Sequence, residues 1–289
     1  MRINGGQVFD LRQGFVQRDV CTDGPLLAET SGDSVLLDAS GCYVIPGLVD
    51  VHFHGCVGED FSDATPDGLQ KIADFELSQG VTYICPAGMT LPEDQLTAIC
   101  KNTAADYDTA KAAFEAGANH VTHTYNGMPG LHHREPSVIG AAYEVPGVLP
   151  ELICDGVHIH GSVVRLTFGL FGGERMILIS DSLRATGMPD GEYPFGGQMI
   201  ELHGNRATIL GHPETLAGSV TSLMGCLRQA VSFGIPLADA VRACTFNPAR
   251  SIGIDGRTGS LDTGKEASIV LLDEKDLSVK AIIFKGQKV

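Results

Sequence analysis

Residues 44–55 read VIPGLVDVHFHG: an apolar run entered through Pro-Gly and ending on two histidines one residue apart. Branched and apolar residues bounded by turn formers predict a strand over Val44–His54. Side chains alternate along a strand, so His52 and His54 are expected on one face, about two residues' rise apart. Two neutral imidazoles so placed can share one zinc or iron ion. The plainer alternative is a pair of half-buried strand histidines with ordinary hydrogen bonds. Asp50 before the pair and Gly55 after it weigh against that.

Moving outward, apolar runs predict further strands at Val81–Cys85, His120–Tyr125, Leu152–His158 and Met176–Ser180, and more weakly at Ala207–Leu210. Helical patterns lie between them. One opens at Pro66, carries Leu69, Ile72, Ala73 and Leu77 as a stripe, and stops at Gly80. Another has Asp106 as N-cap and Gly117 at its end, and a third runs from Ser219 to Gly234. Such alternation predicts a parallel α/β domain. Residues 1–45 and 256–289 differ from the middle and resemble each other, which predicts a small β-domain built from both termini. One stretch breaks the rhythm. A helix in LPEDQLTAICKN (91–102) is followed by the helix after Asp106 with no strand between, although parallel strands need a single crossover. Five or six strands are counted where a closed barrel needs eight. A segment is missing near residues 100–103.

Three further stretches carry candidate chemistry. In HVTHTYNGMPGLHHREP (120–136), His123 can ligate a metal and Asn126 can donate and accept hydrogen bonds. Gly127 lets backbone approach a ligand, and Arg134 offers a fork for phosphate oxygens, with a surface ion pair as its plain alternative. MILISDSLRATGMPDGEY (176–193) puts Asp181 at a strand end, where a carboxylate can shuttle a proton or merely cap a turn. ICDGVHIH (153–160) presents His158 and His160 as one face of a strand, and TLAGSV (215–220) sets small residues before a helix.

The 289 residues are 43% hydrophobic and 19% charged, enough for a sizeable core. A net charge of −15 argues against nucleic acid or an anionic membrane surface as partner. No run is long enough to cross a membrane, and the start does not read as a signal peptide. Eight cysteines occur without a CxxC pair. Most, such as Cys85 and Cys226, sit in apolar surroundings and are expected to be buried and reduced in a cytoplasmic protein.

Taken in order, PGLVDVHFHG, THTYNGMPGLHHREPSVIGAA, DGVHIH, SDSLRATGMPDGEY, LAGS and FNPAR resemble the N-acetylglucosamine-6-phosphate deacetylases of the amidohydrolase superfamily. The resemblance implies a (β/α) barrel over residues 46–255 and a small β-sandwich from 1–45 and 256–289. It implies a homodimer that holds a divalent metal, zinc or alternatively iron. The implied reaction is hydrolysis of the substrate's acetamide to glucosamine 6-phosphate and acetate. His52, His54 and His123 match family metal ligands, and Asp181 matches the catalytic aspartate. Asn126, Gly127, Arg134 and His158 match substrate contacts, with Arg134 on the phosphate, while Leu216, Ala217 and Gly218 match the loop over the sugar.

The departure from the family falls at the same place as the broken rhythm. Family members carry a Glu-Gly-Pro ligand motif and a ligand histidine between the regions matching Cys100 and Thr103, and here Asn102 stands where that histidine belongs. Two or three βα units of roughly 30 residues each are therefore expected to be absent. The rival to an active enzyme is a non-catalytic remnant that still binds sugar phosphate.

Overall fold

The computed structural model describes residues 1–32, 34–63, 65–87 and 106–289. The expected gap near 100–103 and the expected helix over 91–102 lie outside the described residues.

The residues Gln7–Asp10, Cys42–Pro46, Ile269–Asp273 and Val279–Phe284 form the body of a six-stranded sheet drawn from both chain ends, with Gly14–Gln17 and Gln287–Lys288 at its margins. Strand alternation divides its side chains between two cores. Val8, Val44, Ile269, Leu271 and Ile283 pack with Ile3, Val20 and Leu27, the last three from a four-stranded sheet of N-terminal residues. Phe9, Ile45, Val270, Leu272 and Ile282 face the other way, into the main core. Burial on both faces explains why IVLLD reads as an unbroken apolar run.

The middle of the chain holds two parallel groups of strands. Leu48–Asp50 pairs with Val81–Ile84, and Leu149–Ile153 lies between His120–Val121 and Ile177–Ile179. Backbone bonds past the strand ends join the two groups: Asp181 N–H donates to the His52 carbonyl (3.0 Å) and His54 N–H to that of Ser182 (2.7 Å). Leu152 and Leu178 pack toward the helices with Phe168, Leu227 and Val241. Leu149, Ile153, Ile177 and Ile179 gather with Val51 in a separate cluster. No closed barrel forms among the described residues. Within them Val81–Ile84 and His120–Val121 are each paired along one side only, which leaves two unpaired strand edges.

The helix signals resolve in physical detail. Thr65 caps the helix Pro66–Ser78 by accepting from Gly68 N–H, and Gly80 follows at φ 85°. Asp106 caps Tyr107–Glu115 by accepting from Thr109 N–H at 2.9 Å. The third helix starts later than expected, at Leu223, with Ser222 as its cap. Ser219 is instead tied into the sheet: its N–H donates to the Asp181 carbonyl and its hydroxyl to that of Ser180. The strand expected over Val44–His54 breaks at Gly47 and ends at Asp50, so His52 and His54 lie just past a strand rather than within one. Two other strands also end sooner than predicted. His123 and Tyr125 have φ of 32° and 78°, outside strand geometry, so the strand stops at Val121. Asp155 accepts from the N–H groups of Val157 and His158, forming a turn that ends the other strand at Ile153. His158 and His160 are therefore not strand neighbours, and His160 caps the helix Gly161–Phe171.

Where one weak strand was expected, Gly191–Phe195, Gln198–His203, Arg206–Ile209 and His212–Leu216 form a four-stranded antiparallel sheet. Gly196 and Gly197, at φ 55° and 79°, make the two-residue turn that its first hairpin needs. Cys226 is buried as anticipated, but Cys85, just past the end of a strand with one unpaired side, is exposed.

Glu76 is the odd member of the core. It is 1% exposed, and among the described residues neither carboxylate oxygen has a hydrogen-bond partner. Burial, reinforced by the charge of Asp50, pushes its pKa up to about 8. Between about 4.5 and 8 the unfolded chain therefore loses a proton that the folded chain keeps, and stability falls as pH rises through that window. Glu76→Leu is expected to stabilise the fold by about 1–3 kcal/mol at pH 8 and by less at pH 5. Urea melts at the two pH values measure this; equal gains at both would show that the ionisation is not the cause.

Candidate metal and active site

His52, His54 and Asp181 meet because the backbone ladder continues past the ends of two strands. The Nε2 atoms of His52 and His54 lie 3.4 and 3.3 Å from one Asp181 carboxylate oxygen. One ligand atom from each of the three residues fits within 4.8 Å of the others, and their side chains are only 9–14% exposed. His54 Nδ1 lies 3.0 Å from the Ala87 carbonyl, a contact that puts its proton on Nδ1 and leaves Nε2 toward Asp181. Asp181 itself sits at φ 48°, a backbone state that non-glycine residues adopt at a cost.

The field at this point is that of a cation site. Burial alone would strip the proton from His52, but Asp181 and Glu151 outweigh it and raise its pKa to about 10. Burial would likewise protonate Asp181, yet the two imidazoles hold it far below the usual carboxylate range. Carboxylates that force a buried imidazole to stay charged would favour a divalent ion in its stead. Two imidazole nitrogens and a carboxylate oxygen suit zinc or iron, so the residues present fit a metal.

The other predicted residues fall into two groups. His123 stands beside the triad, its ring 5.7 Å from that of His52 and its buried Nδ1 without a partner, but outside the 4.8 Å group. The Asn126 amide donates to the carbonyls of His123 and Thr124, and Gly127 adopts φ 65°. These residues line a cavity of about 260 Å³ with His120, Phe114 and Met128. His158 is 4% exposed at its side chain and pairs through Nδ1 with Asp155 at 2.7 Å. Of Leu216 to Gly218, the last abuts Asp181: at Gly218, φ 75°, a β-carbon would lie 3.2 Å from the Asp181 carbonyl oxygen.

Arg134 stands apart. It is exposed and lines a separate cavity of about 530 Å³ with His132, Tyr107 and Pro129. Its Nη1 lies 2.7 Å from His133 Nε2, and among the described residues no carboxylate pairs with it. Among those residues the surface ion pair that was the plain alternative is not formed. Sequence reasoning missed Glu151, whose carboxylate reaches His120 at 2.6 Å and His52 at 3.5 Å. Its only signal was a charge inside the apolar strand LPELI.

Comparison with known proteins identifies the family. The amidohydrolase family profile matches residues 94–289. An N-acetylgalactosamine-6-phosphate deacetylase of Escherichia coli O157:H7 is 39% identical, with 84% of this chain and 86% of that protein covered. That alignment runs over 329 positions, more than the 289 residues of this chain, so the relative contains residues with no counterpart here. An N-acetylglucosamine-6-phosphate deacetylase of Vibrio furnissii is 38% identical over 80% of this chain, which spans 56% of the relative's length. Among solved structures, a mutant N-acetyl-D-glucosamine-6-phosphate deacetylase from Mycobacterium smegmatis, bound to N-acetyl-D-glucosamine-6-phosphate, superposes with a TM-score of 0.88. It is 25% identical and covers 100% of this chain and 98% of its own. This chain belongs to the amidohydrolase family and, within it, to the amino-sugar 6-phosphate deacetylases.

Proposed function

We propose that this chain hydrolyses the acetamide of an N-acetylated amino-sugar 6-phosphate, releasing acetate and the free amine. N-acetylglucosamine 6-phosphate is the first candidate, and the Escherichia coli relative makes N-acetylgalactosamine 6-phosphate the second. The observation that carries the reading is the gathering of His52, His54 and Asp181 within 4.8 Å at strand ends. A divalent metal held by His52 and His54, zinc or alternatively iron, would supply Lewis acidity for water and carbonyl. His123, whose ring stands beside that of His52, would complete the ligand set.

In this reading Asp181 takes the proton of the attacking water and delivers it to the departing amine. Asp155 holds His158 by Nδ1, which leaves Nε2 as the atom that would bond the acetyl oxygen. Asn126 and Gly127 orient the sugar, and Leu216, Ala217 and Gly218 close over it beside Asp181. Arg134 anchors the phosphate. The wider reading is a cytoplasmic homodimer in which residues 46–255 form a barrel lacking some βα units, and residues 1–45 with 256–289 form a β-sandwich. No helix among the described residues is long and apolar enough to cross a membrane. Acetate release from the two sugar phosphates, with purified protein and added zinc, tests the reaction; no release from either would favour a binding remnant. One observation supports that second reading, namely the excess of aligned positions over this chain's length.

Arg134→Ala is expected to weaken sugar-phosphate binding by about tenfold or more, since a charge-assisted contact contributes on the order of 1.5–3 kcal/mol. Binding of the unphosphorylated sugar should barely change. Calorimetry with both ligands checks this, and equal losses would remove Arg134 from the phosphate site.

A further inference from the structure

Glu151 lies on the far side of His52 from Asp181. It projects from the strand Leu149–Ile153 and is 4% exposed. One carboxylate oxygen is held by His120 Nδ1 at 2.6 Å. The other is buried, has no hydrogen-bond partner among the described residues, and lies 3.5 Å from His52 Nδ1. His52 is thus flanked by two carboxylates, with Nε2 turned to Asp181 and Nδ1 to Glu151. A carboxylate that accepts the N–H of a ligating imidazole fixes its tautomer and ring orientation and raises its basicity. His54 obtains the same service from the Ala87 carbonyl.

We propose that Glu151 is a positioning residue of the metal site. Braced by His120, it keeps the His52 proton on Nδ1 and leaves Nε2 as the ligand atom. The spare oxygen of Glu151 is the acceptor, and a movement of a few tenths of an ångström turns the present contact into a hydrogen bond. This rests on the reading of His52 as a metal ligand.

The test uses Co²⁺ and Zn²⁺ as probes with the full chain. Competition with a chromophoric chelator gives the Co²⁺ Kd of wild type, His52→Ala, Glu151→Gln and His120→Phe. Glu151→Gln is near-isosteric and should raise Kd about 10–100-fold, with a smaller rise for His120→Phe. An unchanged Kd in His52→Ala would overturn the site itself. A large loss in His52→Ala beside an unchanged Kd in Glu151→Gln would overturn only the role of Glu151. Nitrogen-15 histidine spectra of the zinc-saturated wild type give a second readout that needs no variant of Glu151. The proposal expects His52 protonated at Nδ1 and metal-shifted at Nε2, and the reverse pattern refutes it.

Discussion

Replacing Asp181 with asparagine is expected to lower acetate release by about 10²–10⁴-fold, the usual contribution of a positioned general acid–base group. Asparagine keeps the size of the side chain but has neither the charge nor the basicity to take a proton. Both Nε2 atoms lie within 3.4 Å of one Asp181 oxygen, so the variant also removes the charge that draws a cation between them. Metal retention should therefore fall with turnover. A merely structural aspartate would show a different pattern, namely a lower melting temperature with turnover restored by cooling. Unchanged turnover would remove Asp181 from the chemistry altogether.

The second large effect concerns the residues that relatives have and this chain lacks. A hydrolytic metal needs about three protein ligands and an open position. His52, His54 and Asp181 or His123 can supply three, but among the described residues two strand edges of the parallel sheets stay unpaired. The purified chain is expected to keep well under one zinc after dialysis and to turn over far more slowly than a full-length relative. Inserting a relative's absent segment between Asn102 and Thr103, with its ligand histidine, should restore both. Plasma-emission metal analysis beside the acetate assay decides the matter. Stoichiometric zinc with ordinary turnover in the uninserted chain would show that the present ligands suffice.

The parts of this molecule that a sequence displays are those where burial dictates residue type. Val44–Pro46 and Ile269–Leu272 read as strands because both their faces are covered, and Pro66, Gly80 and Asp106 punctuate helices by local backbone chemistry. The paired histidines were visible for the same local reason. What stayed hidden depends on partners distant in sequence or on unusual backbone. Positive φ at His123 and Tyr125 shortens a strand whose residue types still favour extension. The sheet over 191–216 was missed because its strands are half exposed and short. Glu151 looked like an exception within an apolar strand, because its partners His120 and His52 come from two other strand ends.

The six-stranded sheet bears on how the protein is made. Ile45 pairs with Val270, which leaves the ribosome roughly two hundred residues later, ~10–40 s at about 5–20 residues per second. Through that interval Cys42–Pro46 has its N-terminal neighbour Gln7–Asp10 but not the strand that will cover its other edge. Val44 and Ile45, each destined for a different core, stay without that cover until the strand Ile269–Asp273 is made. Closure of this sheet therefore waits on a strand roughly two hundred residues downstream, and until that strand emerges an apolar edge lies open.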